Sequence, residues 1–339
     1  MEHDATALRK VDLSKRIRNP LPSDGSDGLY YQSWYPVCLS DELARGQIIG
    51  CDFLGGRCVV FRGEDGEAQV MSAYCAHLGA DLSVGQVVGN TVRCAFHYWQ
   101  YDKSGACVCT AIGAPPPKSA RLFAFPSTER YGIIWAFNGD RPLWEIPRYE
   151  RDEDTMMMRS IRLEPAYTCD GWVFTCNTAD VQHIRVVHGI QFTDEEFHDT
   201  VDWQEYGYDY RVSADHQGGI SLDWMIGIRG ASFFRQQGLY DGFWFGALSG
   251  FSCPKAGEHT VFLNLAVCQE DEAGRGRSAQ ERLEIATALL VRTAEEDRAI
   301  LNSVHFTPGT LLKIDKSLAR YFDYLRNYPR ANPAAEFLV

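Results

Sequence analysis

Two short segments with the same kinds of side chain decide how the first half of this chain is interpreted: YCAHLG at residues 74–79 and RCAFHYW at residues 93–99. Each segment offers one thiolate and one imidazole, from Cys75 and His77 in the first and from Cys94 and His97 in the second. Sixteen residues separate the two pairs. Two loops with such ligands predict that the four side chains bind one metal centre.

Two metal centres accept two cysteines and two histidines. One is a structural zinc site. The other is a Rieske [2Fe–2S] cluster, in which two cysteines bind one iron and two histidines bind the other. The spacing favours the cluster, because zinc sites usually take two cysteines from one loop and two histidines from another. Zinc stays open as the alternative.

The remaining pattern predicts two domains of different class. Short apolar runs alternate with turn signals from residue 30 to 136, which is typical of a small all-β domain. Residues 171–188 and 278–304 are predicted helices, the second beginning with the capping box Ser278–Glu281, and several antiparallel strands are predicted over 202–268. The expected fold class is therefore α+β: an all-β domain, then a domain with an antiparallel sheet and a long helix.

Composition restricts the classes of function. The chain has 339 residues and a net charge of −12, which makes it a poor general binder of nucleic acid. No apolar run approaches the roughly 20 residues of a membrane helix, and the N-terminus lacks the apolar region of a secretory signal. We therefore expect a cytoplasmic protein without a membrane span.

A second group of ligands lies in GWVFTCNTADVQHIRVVHG, residues 171–189. Asn177, Asp180 and His183 recur every three residues and therefore share one side of a helix. His188 comes five residues after His183, so it returns to that side only if the helix ends or loosens before Gly189.

An acid from elsewhere in the chain would complete this group. Two histidines and one carboxylate with open positions form the facial triad of non-haem Fe(II) oxygenases. The best candidate is Asp297, on a mainly apolar helix face formed by Leu283, Ala286, Leu290, Thr293, Asp297, Leu301 and Val304. Two alternatives remain open: a buried salt bridge or solvated helix edge for Asp297, and partly buried core histidines for His183 and His188.

Both segments resemble the Rieske non-haem iron oxygenases. The first matches their cluster motif, the second their N-x-x-D-x-x-H-x4-H signature, and residues 295–301 their late acidic segment. The resemblance covers about residues 30–305. It implies a Rieske domain at 29–145 and a mononuclear iron domain of helix-grip fold at 146–339. The polar composition of residues 1–28 predicts an arm before them. The metal ligands would be Cys75, His77, Cys94 and His97 for the cluster, and His183, His188 and Asp297 for the iron.

The resemblance also implies a function, the terminal component of a mono- or dioxygenase. Such an enzyme uses O2 and electrons from a ferredoxin or an NAD(P)H-dependent reductase to hydroxylate, demethylate or desaturate a hydrophobic substrate. The family usually forms a homotrimer, in which Asp180 would be the catalytic carboxylate that bridges a cluster histidine of one subunit and His183 of the next. The alternative is a Rieske electron-transfer protein with a fused, non-catalytic ligand-binding domain.

Some positions refine the resemblance. Ala80 and Phe96 stand where respiratory Rieske proteins have a disulfide over the cluster, which implies the low-potential type. Leu78 and Tyr98 depart from the common oxygenase pattern, which often has Arg and Gly at these places. Residues 74–82 look closest to 3-ketosteroid hydroxylases and sterol desaturases and hint at polycyclic substrates. Candidate pocket residues are Trp224, Met225, Ile226, Phe233, Phe234, Phe243, Trp244 and Phe245.

Overall fold

The computed structural model describes residues 21–192, 197–216, 220–270, 276–305 and 310–339. Most of the predicted arm at 1–28 lies outside these residues. The strands are β1 Tyr30–Tyr31, β2 Trp34–Leu39, β3 Ile48–Phe53, β4 Gly56–Arg62, β5 Ala68–Ser72, β6 Gln86–Val88, β7 Thr91–Arg93, β8 Gln100–Tyr101, β9 Cys107–Cys109, β10 Ser127–Arg130, β11 Ile133–Phe137, β12 Met156–Tyr167, β13 Gln191–Phe192, β14 Asp202–Gln204, β15 Gly207–His216, β16 Ile220–Arg229, β17 Phe233–Tyr240, β18 Phe243–Phe251, β19 His259–Cys268 and β20 Arg330–Ala331. The helices are α1 Gly171–Cys176, α2 Val181–Val186, α3 Ala279–Leu301, α4 Lys316–Asn327 and α5 Ala335–Leu338.

The first part of the chain is all-β, as the sequence predicts. Its strands form small antiparallel sheets in the orders β10-β11-β2, β3-β4-β5 and β6-β7-β8-β9. Buried aromatic residues such as Phe53, Phe61 and Phe125 fill the space beneath them. The segment at 74–79 follows β5, and the segment at 93–99 connects β7 to β8, so a firm sheet anchors each of the two loops.

The second part contains an eight-stranded antiparallel sheet in the order β12-β19-β18-β17-β16-β15-β13, with β14 paired to β15. The long helix α3 packs against β12, β18 and β19. The predicted capping box is present, because Ser278 and Glu281 satisfy each other's backbone N–H groups. Buried Tyr167 fixes the helix to the sheet, since its hydroxyl donates to the Ala294 carbonyl at 2.7 Å. The predicted α+β class is confirmed.

Two details of the predicted helices are wrong. Residues 171–188 do not form one helix, because α1 ends at Cys176, a short 3-10 turn follows, and Asp180 takes an extended conformation. An Asp side chain competes for free backbone N–H groups, and Asp180 caps α2 in this way. The apolar face of α3 also ends earlier than predicted, since Val304 lies beyond the helix and is exposed.

The end of the chain returns to the first part of the fold. β20 pairs with β1, and the buried side chain of Leu338 in α5 joins the apolar cluster around β3 and β4. Asn138 strengthens this junction by donating to the carbonyls of Tyr30, Tyr31 and Ala331. In the described ranges, no helix is both long and apolar enough to cross a membrane.

Candidate functional site

The two loops at 74–79 and 93–99 have nearly the same backbone. In the first, the Gly79 N–H donates to the Cys75 carbonyl at 2.8 Å; in the second, the Tyr98 N–H donates to the Cys94 carbonyl at 3.1 Å. Gly79 and Tyr98 both have positive φ, 74° and 59°. The positive φ explains why the oxygenase pattern often has Gly at this place. In this chain Tyr98 occupies a conformation that L residues rarely adopt. Its exposed ring lies 5.1 Å from the guanidinium of Arg93.

The four predicted cluster ligands of these loops differ in their exposure to solvent. Cys75 and Cys94 are 4% and 1% exposed, whereas His77 is exposed and His97 half-buried, with their ring centres 4.6 Å apart. Burial raises the pKa of the Cys75 thiol, and the Tyr101 hydroxyl, 3.1 Å from its Sγ, acts in the opposite direction. A buried thiolate needs a nearby cation, which a metal centre supplies.

The second group of predicted ligands converges closely. Nε2 of His183 lies 3.0 Å from Nε2 of His188 and 3.1 Å from Oδ1 of Asp297, and the third distance, from His188 Nε2 to this Oδ1, is 3.4 Å. All three side chains are at least nine-tenths buried. His188 returns to His183 as anticipated, because α2 ends at Val186 and Gly189 turns the chain at a φ of 66°.

These distances fit one metal ion. Donor atoms bound at about 2.1 Å and at angles between 90° and tetrahedral lie about 3.0 to 3.4 Å apart. In the described structure, His183, His188 and Asp297 form a group whose ligand atoms all lie within 4.8 Å of one another, and the cysteines and histidines of the two loops form no such group. A single zinc ion would require that closeness, so the loops fit a cluster of two irons better.

Carboxylates neighbour the imidazoles of this group. Burial acts to raise the pKa of Asp297, but the close contacts with the two histidines outweigh it and hold this pKa below its ordinary value. For His188, burial acts to lower the pKa, and the contacts with Asp297 and Glu296 raise it instead. The site therefore favours bound positive charge.

Two polar neighbours hold the ligands in position. Asn177 donates from Nδ2 to Oδ2 of Asp297 at 3.2 Å. Glu296 places Oε2 3.0 Å from Nδ1 of His188, on the opposite side of the ring from the ligand nitrogen. We did not identify Glu296 from the sequence, although its position directly before Asp297 is a usable signal.

Asp180 contacts the site through the backbone. Its Oδ1 accepts from the His183 backbone N–H at 3.0 Å. This hydrogen bond fixes the start of α2, because the break in the helix makes Asp180 a cap. The predicted contact of Asp180 with the His183 imidazole stays a prediction.

A mainly apolar cavity of about 110 Å³ opens beside the three ligands. This is several times the 10 to 15 Å³ that one water molecule needs, so an organic molecule can enter. Of the predicted pocket residues, Trp224, Ile226 and Phe234 line the cavity. The others do not, and pleating explains why Met225 lies on the opposite face from its neighbours. Phe243 and Phe245 belong to the core of the sheet.

Comparisons with known proteins agree with the cluster predicted for the loops at 74–79 and 93–99. Residues 33–124 match the Rieske [2Fe-2S] domain family. Cholesterol 7-desaturase nvd of Bombyx mori is 29% identical over 62% of this chain and 47% of the relative. Aminopyrrolnitrin oxygenase PrnD of Pseudomonas fluorescens is 31% identical over 51% of this chain and 50% of the relative. The chain thus spans about half the length of these relatives.

Solved structures share the fold over most of the chain. NdmA of Pseudomonas putida CBB5 with caffeine has a TM-score of 0.66 at 21% identity, covering 86% of this chain and 89% of that one. Dicamba monooxygenase bound to dicamba has a TM-score of 0.60 at 19% identity, covering 87% and 97%. The likeness therefore extends beyond the cluster loops to the large sheet and the helices around the second group of ligands.

Proposed function

We propose that the chain belongs to the Rieske oxygenase family and acts as a terminal oxygenase with a [2Fe–2S] cluster and a mononuclear Fe(II). Cys75, His77, Cys94 and His97 would hold the cluster. The observation that carries the proposal is the group of two imidazoles and one carboxylate that opens onto an apolar cavity. A pure electron carrier has no use for such a group.

The protein residues supply position, charge and exclusion of water. His183, His188 and Asp297 would bind iron on one side and leave the cavity side free. With both metal centres loaded, they would supply electron transfer and O2 activation for the oxidation of a substrate C–H or C=C bond. The apolar walls, including Ile226 and Phe234, would desolvate a hydrophobic substrate next to the ligands.

We further propose that Asp180 connects the two centres between subunits. In a head-to-tail homotrimer, residues 29–145 of one subunit would face residues 146–339 of the next. One oxygen of Asp180 caps α2, and the other would accept a hydrogen bond from a cluster histidine of the neighbour. The electrons would come from a separate ferredoxin or reductase.

Metal analysis tests the assignment of the ligands. We expect about three irons and two acid-labile sulfides per chain. Asp297→Ala should lose the mononuclear iron and keep the visible spectrum of the cluster. Glu295→Ala is the matched control, because Glu295 lies on the same helix but pairs with Arg298. Loss of both metals or of neither in Asp297→Ala would contradict the assignment, and zinc without sulfide would favour a structural metal instead.

Oxygen uptake tests the activity. The holoprotein with a surrogate ferredoxin and reductase should consume O2 in a substrate-dependent way with some member of a panel of sterols, 3-ketosteroids, arylamines and N- or O-methyl compounds. The names of the relatives motivate this panel. Two irons with two sulfides, and no uptake, would support the electron-transfer alternative.

A further inference from the structure

Four polar residues of the large sheet line the cavity. The hydroxyl of Tyr210 on β15 already donates to a backbone carbonyl at 2.6 Å. The other three are Trp224 on β16, Gln236 on β17 and Ser249 on β18, and we call them the polar strip. Gln236 lies between the other two: Trp224 pairs with Gly238 and Ser249 pairs with Phe234, so each is offset from Gln236 by two residues of register. Diagonal neighbours of this kind lie on the same face of a sheet.

The polar strip is buried, and its Trp224 donor is unsatisfied. Trp224, Gln236 and Ser249 are 4%, 6% and 4% exposed. The indole Nε1 of Trp224 has no hydrogen-bond partner among the described residues, and none of those residues hydrogen-bonds the Gln236 amide. Gln237, on the opposite face, does have a partner, because its Oε1 accepts from the Glu150 N–H at 2.9 Å. Buried polar groups in folded proteins are normally paired, so unpaired ones facing a cavity indicate a ligand that pairs them.

Charge further limits the kind of ligand. Among the described residues that line the cavity, Arg292 is the single arginine or lysine. Its side chain is 58% exposed, and its Nε lies 3.6 Å from Glu296. No free cation thus faces the polar strip within the described cavity. A substrate carboxylate would be buried there without a counter-ion, which is strongly unfavourable.

We propose that the substrate is a neutral, mainly apolar molecule with one oxygen acceptor, which the amide Nε2 of Gln236 binds. The Trp224 N–H is a second donor on the same strip. This inference rests on the proposed function and names its substrate class. A molecule held by its oxygen at the sheet extends its apolar part toward His183 and Asp297, so oxidation occurs at a carbon distant from that oxygen.

Binding to the holoprotein tests the inference without turnover. Three probes share one carbon skeleton: 1-tetralone has a ketone, tetralin has none, and 1,2,3,4-tetrahydro-1-naphthoic acid has a carboxylate. Calorimetric titration of the wild type should give the ketone an affinity about 2- to 10-fold higher than that of the hydrocarbon, the value of one neutral hydrogen bond. The acid should bind most weakly. Gln236→Leu should abolish the preference for the ketone, with tetralin bound as before.

The hydrocarbon is the internal control for an intact cavity. If Gln236→Leu loses both neutral probes, Gln236→Asn decides: a retained ketone preference supports the inference, and a lost one overturns it. Equal affinities in the wild type, tighter binding of the acid, or no binding of any probe would also overturn it. A normal preference in a protein without oxygen uptake would refute the proposed function alone, and uptake without the preference would refute only this inference.

Discussion

Glu296→Ala should weaken the mononuclear iron site without removing a ligand. The carboxylate lies 3.0 Å from Nδ1 of His188, where it fixes the tautomer and the ring orientation and makes Nε2 more basic. Loss of such a partner typically costs 10- to 100-fold in metal affinity. Because Glu296 is 39% exposed and shared with Arg292 at 3.6 Å, solvent and the guanidinium weaken its effect. We therefore expect about a tenfold rise in the Fe(II) Kd, which corresponds to about 1.4 kcal/mol.

The assay is an anaerobic Fe(II) titration of protein that retains its cluster, with the visible spectrum of the cluster as a reference. Glu296→Gln should lose less affinity than Glu296→Ala, because the amide oxygen still accepts from Nδ1. Glu295→Ala is the control from the adjacent position and should bind Fe(II) as the wild type does. An unchanged Kd in Glu296→Ala, or an equal loss in Glu295→Ala, would refute the reasoning.

Three further predictions concern other parts of the fold. Tyr98→Gly should keep the cluster and change the free energy of unfolding by less than about 1 kcal/mol, because relief of the positive φ offsets the added chain entropy and the lost Arg93 contact. Tyr98→Val should destabilise the loop. Thermal unfolding followed by the absorbance of the cluster measures both effects. Burial and Asp170 raise the pKa of Asp24 from 3.8 to about 7, so the folded form holds a proton that the unfolded form releases, and stability falls between about pH 4 and 7. Asp24→Asn should remove this fall, and urea midpoints of both proteins across that range check it; parallel pH profiles would contradict it. Asp180→Asn should keep both metals, because Asn caps helices as well as Asp does, but lose about 10- to 100-fold in turnover; full turnover would exclude the bridging role.

Local chemistry explains which parts of the structure were predictable. The start of α3 follows from Ser278 and Glu281, which satisfy each other within one turn. The short strands of the first part follow from local alternation and turn residues. The prediction of one helix over 171–188 was wrong, because the spacing of three between Asp180 and His183 fits both a continuous helix and a helix cap. At Asp180 the cap prevailed, since its side chain binds the backbone N–H of His183.

The amino-acid sequence by itself determined the α+β class and which side chains are candidate metal ligands, because both depend on residues that are close along the chain. Only the tertiary structure brought Asp297 to within 3.1 Å of His183, across 114 residues, and gave Glu296 its contact with His188. It also decided which aromatic residues line the cavity and revealed the polar strip around Gln236. These features depend on the register of the large sheet and on the rotation of α3 against it, which the packing of the whole core fixes.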